Sequence, residues 1–100
     1  MNKNFLKQAQ QLQTRLNKVQ EELEDETVEA TSGGGAITVV CTGKQVIRSV
    51  TIDPAAVDPD DVGMLQDLVL TAVNDALAKS QDLASERISA ITGGMKLPGM

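Results

Sequence analysis

The chain has 100 residues, a formal net charge of −5, one aromatic residue (Phe5), one cysteine (Cys41) and no histidine. That length fits a single domain with a modest, purely aliphatic core. The composition excludes histidine acid–base catalysis and an intrachain disulfide, and it offers no row of aromatic platforms for stacking nucleobases.

Cys41 falls inside a β-branched run and reads as a small hydrophobe, which fits a reducing, cytoplasmic setting. The N-terminal stretch MNKNFLKQAQ lacks the apolar core of a secretory signal, and no apolar run is long enough to span a membrane. Charge is unevenly spread. Lys3, Lys7, Arg15 and Lys18 lie in the first twenty residues without an acid between them, and Glu21, Glu22, Glu24, Asp25, Glu26 and Glu29 follow without a base. A partner's field therefore depends on the face it meets, which the net charge hides.

In the first segment Phe5, Ala9, Leu12, Leu16, Val19 and Leu23 are spaced four, three, four, three, four. This heptad seam, set among helix-forming Gln, Lys and Glu, predicts a helix over 2–24. At about 100° per residue the four cations cluster on the side away from the seam. That side reads either as a solvated helix face or as a basic stripe following a phosphate backbone.

A sheet is expected over 26–53. Glu26 to Thr31 alternates, with Val28 and Ala30 on one parity, and reads as an exposed first strand. Ser32-Gly33-Gly34-Gly35 turns the chain, and no GK[ST] follows to make a phosphate loop. Ala36–Thr42 and Val46–Ile52 then form a hairpin. A two-residue loop at Gly43-Lys44 would set Ile37 opposite Val50, Cys41 opposite Val46 and, on the other face, Val40 opposite Ile47. The Val40–Ile47 pair would be exposed in a monomer. Arg48 fits this register poorly, so it either snorkels at the rim or marks a bulge.

Asp58-Pro59-Asp60-Asp61 reads as a helix start, with Asp58 as N-cap, and predicts a second helix over 59–92 that stops at Gly93-Gly94. Its apolar stripe includes Leu65, Leu68, Val69, Ala72, Val73, Ala76, Leu77, Leu83, Ala84, Ile88 and Ile91. A helix of roughly 50 Å outruns a three-stranded sheet, so the first helix or a second subunit must cover the remainder. The tail over 93–100, GGMKLPGM, is short, apolar and Pro-broken, and reads as mobile or docked on a partner. Asp60/Asp61, or Asp67 with Asp75, could be imagined as catalytic or metal-binding acids. The first pair suits a helix start and the second an exposed helix face, and no loop gathers the several oxygens that a hard metal requires. No enzyme, metal or cofactor is expected.

The order helix, three-stranded meander, long helix, tail resembles the YbaB/EbfC family of bacterial nucleoid-associated DNA-binding proteins. Four stretches carry the resemblance: LKQAQQLQ at Leu6–Gln13, GGGAITVVCTGKQVIRSVTIDP at Gly33–Pro54, MLQDLVLTAVNDALAKS at Met64–Ser80, and the closing GGMKLPGM. The resemblance implies an α+β homodimer with projecting helices that contact duplex DNA, and a setting in chromosome organisation, gene regulation or recombination and repair. The DNA-contact set expected here is Lys3, Lys7, Arg15 and Lys18, helped by Lys79, Arg87 and Lys96. The expected dimer contacts are Val40 and Ile47 on the sheet, Leu12 and Leu16 on the seam, and Leu68 and Ala72 on the second helix. Binding should be weak, salt-dependent and largely independent of sequence. The alternative favoured by the acidic balance is a dimeric protein-interaction scaffold with little affinity for DNA.

Overall fold

A computed structural model describes residues 3–93. Helix α1 (Lys3–Asp25) leads into strands β1 (Thr27–Ser32), β2 (Ile37–Thr42) and β3 (Ile47–Ile52), and the long helix α2 (Val62–Thr92) follows. The strands form an antiparallel sheet in the order β1-β2-β3. This is the expected α+β arrangement. Of the expected tail, Gly93 is the left-handed cap of α2, its N–H donating to the Ser89 carbonyl; Gly94–Met100, Lys96 included, lie outside the described residues.

Alternation decides the two faces of the sheet. The rows Val28–Cys41–Ile47, Ala30–Val39–Val50 and Ser32–Ile37–Ile52 share the inner face. The outer face carries Glu29, Thr31, Thr38, Val40, Ser49 and Thr51, all exposed or half-buried. Helix α2 lies on the inner face over β1 and β2. Its row Ala72, Ala76 and Ser80 is fully buried, and the core closes with Ala30, Ile37, Val39 and Cys41. The small side chains at four-residue spacing let the helix backbone settle close to the sheet.

Two sequence expectations need correction. The hairpin loop has three residues rather than two: Thr42 N–H donates to the Val46 carbonyl at 2.8 Å, and Gln45 adopts a left-handed φ of 63°. A bulge then follows, so that Cys41 pairs with Ile47 and Val40 with Ser49, leaving Arg48 out of register. The Val40–Ile47 pair does not form, and Ile47 packs against the core instead. The second correction is the start of α2. The N-cap is Asp61, whose carboxylate accepts from Met64 N–H at 3.2 Å. Asp58 instead closes the preceding turn, accepting from Asp60 N–H on its side chain and from Asp61 N–H on its carbonyl.

Gly43 owes its identity to packing. Its N–H donates to the Glu26 carbonyl at 2.9 Å, which draws the turn against the end of α1. A Cβ there would stand 2.6 Å from Leu23 Cδ2 and 3.0 Å from the Leu23 carbonyl oxygen. Since Leu23 is itself buried, Gly43→Ala is expected to cost about 1–3 kcal/mol. The check is a urea titration, in which the midpoint falls while the m value stays unchanged.

Candidate nucleic-acid interface

Only Val19 and Leu23 of α1 are buried. Leu23 borders a hollow with Gln81, Ala84 and Ser85 of α2, and Thr92 at the end of α2 is also buried. Three contacts fix the direction of α2: Ser32 Oγ donates to the Leu68 carbonyl, Lys79 Nζ to the Glu29 carbonyl, and Arg87 pairs with Glu26. Helix α2 therefore runs antiparallel to β1 and passes the C-terminal end of α1. Toward its N-terminus α1 runs on as an exposed arm, with only Leu12 and Leu16 half-buried between Lys3 and Lys18, and the molecule is 69 Å long.

The cations divide between this arm and the body. On the arm, Lys3, Lys7, Arg15 and Lys18 are all exposed. None of the four is hydrogen-bonded or ion-paired among the described residues. Lys7 and Arg15 border one shallow hollow with Gln10, Gln11 and Thr14. Those neutral polar residues were not singled out from sequence, although their three- and four-residue spacing from the two cations puts them on the same face. Glu21 and Asp25 fall further along this face and are exposed, so its sign reverses near the body.

The body cations are engaged. Lys44 donates to Gln20 Oε1, Arg48 Nη2 to the Glu24 carbonyl at 3.1 Å, and Lys79 Nζ to the Glu29 carbonyl at 2.9 Å. Arg87 forks onto Glu22 and Glu26. Arg48 serves one of the orphan carbonyls at the C-terminus of α1, and Lys79 covers a carbonyl on the open edge of β1. Lys79 and Arg87, expected as helpers in DNA contact, are thus held by the protein's own groups.

A family model described as the YbaB/EbfC DNA-binding family matches residues 1–95. The chain belongs to this family. Similar proteins include a nucleoid-associated protein of Acetivibrio thermocellus, 55% identical over 98 residues that cover 97% of this chain and 87% of that one. Another, from Chloroflexus aurantiacus, is 57% identical over 94 residues, 94% of each chain. The fold is also that of an uncharacterized Helicobacter pylori protein of known crystal structure, with a TM-score of 0.78 and 18% identity over 93% of this chain and 99% of that one. The YbaB/EbfC family is defined by DNA binding rather than by a reaction.

In this YbaB/EbfC chain the expected dimer contacts are scattered. Ala72 is fully buried beneath α2 and has no surface to offer a partner. Leu68 is half-buried near Gly33, while Leu12 and Leu16 are half-exposed on the arm. A different apolar surface stands open where α2 leaves β3 uncovered. Ile52, Leu65, Gln66, Val69, Leu70 and Val73 line a hollow of about 430 Å³ there. Leu70 is 59% exposed and Val50 43%.

The Arg87 fork is the main charged link between the arm's root and α2. Because all three partners are partly exposed, Arg87→Ala should cost about 1 kcal/mol or less. It should nonetheless speed amide hydrogen exchange over residues 19–25, while the amides of β2 keep their protection. Equal acceleration in both places would show that the fork has no local role.

Proposed function

We propose that this protein is a homodimer that binds duplex DNA weakly, through phosphate contacts made by α1 and with little base preference. The division of the cations carries this reading, since every described cation on the body is occupied and every one on the arm is open. Lys3, Lys7, Arg15 and Lys18 span roughly 22 Å of helix axis, long enough to follow several phosphates of one strand. Point charges with neutral Gln and Thr beside them hold phosphate oxygens and do not distinguish bases. Glu21, Asp25 and the net charge of −5 oppose the duplex beyond the arm and limit affinity. Under this reading the protein works in the cytoplasm on the nucleoid, in chromosome organisation, gene regulation or recombination and repair.

A second copy would double the stripe. The apolar hollow between α2 and β3 supports self-association, because its lining is almost wholly hydrocarbon and the neighbouring Val50 and Ile52 continue it along an open sheet edge. Val69, Leu70 and Val73 here replace the buried Ala72 as the α2 residues that face a partner.

The test is a fluorescence-anisotropy titration of labelled duplex at several salt concentrations. With eight arm cations engaged per dimer, log K should fall with log salt at a slope of up to about −7. The Lys7→Glu/Arg15→Glu variant should bind more weakly and with about half that slope, while remaining dimeric by sedimentation. Unchanged affinity in this variant, or no wild-type binding at low salt, would sink the stripe and favour the protein-interaction scaffold.

Self-association has its own check. Leu70→Asp should sediment as a folded monomer at micromolar concentration, since Leu70 is mostly exposed in the single chain. A stable Leu70→Asp dimer would move the interface elsewhere.

A further inference from the structure

The heptad seam of α1 is used only in part. Val19 and Leu23 are buried, while Leu16 and Leu12 are half-buried, Ala9 is exposed, and Phe5 and its neighbour Leu6 are 61% and 48% exposed. We propose that this open stretch, Phe5 to Leu16, docks against the same stretch of a second copy as an antiparallel helix pair. The contact is separate from the hollow between α2 and β3 and does not depend on it.

Side-chain size sets the register and the direction. In an antiparallel pair the two alternating positions of a heptad seam face each other. Setting Ala9 opposite Leu12 of the second copy places Phe5 opposite Leu16, and the two-fold axis repeats both layers. The smallest seam residue then meets a leucine in each central layer, and the aromatic ring meets a leucine at each end. A parallel pair would set Ala9 against Ala9 and leave a void between the layers on either side. The overlap also uses the whole of the open seam, since burial by the chain's own body begins at Val19.

Charge favours the same direction. Helix α1 carries Lys3 and Lys7 near its tip, while Glu21, Glu24 and Asp25 are exposed at its root. In this register the tip of each arm ends beside the root of the other, which brings basic and acidic segments within a Debye length of about 8 Å along the axis. A parallel pair would instead set the two acidic roots side by side. Arg15, at the border of the seam, faces neutral Gln8 of the second copy. Lys3, Lys7 and Lys18 point away from the seam, so the paired arms carry them on opposite outer sides.

Five apolar residues a side, against about 20–30 residues a side in a standard interface, put the contact in the transient class. It therefore forms where copies are crowded and is dissociated at micromolar concentration.

The chain contains no Trp or Tyr, so Phe5→Trp reports on the end layer alone. Its emission should shift to the blue as the protein is concentrated from the micromolar to the near-millimolar range, and adding Leu12→Asp should abolish the shift. Blue emission at every concentration would mean that the seam is covered within its own chain, and red emission throughout that nothing covers it; either overturns the proposal. Disulfides test the direction. With Cys41→Ala removing the native thiol, concentrated Ala9→Cys and Leu12→Cys proteins should oxidise when mixed to a product joining one chain of each kind, and each alone should give little. An excess of like-with-like products would overturn the proposal in favour of a parallel pair, and no disulfide at all would overturn it outright. Both measurements are made without DNA and in Leu70→Asp protein, so their failure leaves the phosphate reading and the α2–β3 contact standing.

Discussion

The close seating of α2 on β1 and β2 is the contact on which the other elements depend. It is made by two methyl groups and a hydroxyl, at Ala72, Ala76 and Ser80, each without solvent access. Larger side chains in that row would hold the helix away from the sheet. Ser80 then does what alanine could not. Its hydroxyl donates to the Thr42 carbonyl at 2.7 Å and accepts from Gln45 N–H at 3.1 Å, fixing the hairpin turn from above. The turn in turn receives α1, through Gly43 against Leu23 and the Gly43 N–H on the Glu26 carbonyl. The direction of the arm is thus inherited from the depth at which α2 sits.

Electrostatics follows the same division into body and arm. On the body, cations and backbone carbonyls satisfy one another at strand edges and helix ends, and the Arg87 fork neutralises two members of the acidic run. A protein with net negative charge can still present a positive surface if its internal needs are met locally. Here four open cations stand together on one exposed helix, while Glu21, Glu24 and Asp25 remain exposed at its root. The stripe therefore has a definite end, set by the order of residues along α1.

Much of this was legible in the sequence because periodicity is a strong signal. The seam from Phe5 to Leu23 marks α1, and Val28 and Ala30 pick the inner face of β1 as the structure has it. The hairpin register was misread because Gly43 looks like a glycine needed for an unusual turn. It is needed instead for the approach of Leu23, a tertiary contact with no local trace, and the left-handed position falls to Gln45. Arg48, which fitted neither face, was the local sign of the bulge. Asp58 and Asp61 compete for one capping role, and sequence favours the one before proline; the chain makes a turn at Asp58 and caps at Asp61. The engagement of Lys79 and Arg87 lay beyond any linear reading, since their partners are 50 and 61 residues away.

The arm is also a lever with a short seat. Its burial is confined to two residues at one end, Val19 and Leu23, and some 24 Å of helix lies beyond them. A tilt of about 10° at that seat would carry Lys3 through about 4 Å, comparable to the ~3.4 Å of duplex axis per phosphate of one strand. If α1 follows a phosphate backbone as proposed, a small rocking at Leu23 shifts the tip lysine by about one phosphate step along the duplex axis. Under the proposed phosphate reading, such an arm tolerates variation in groove width and bend at the expense of the fixed registration that choosing between bases requires.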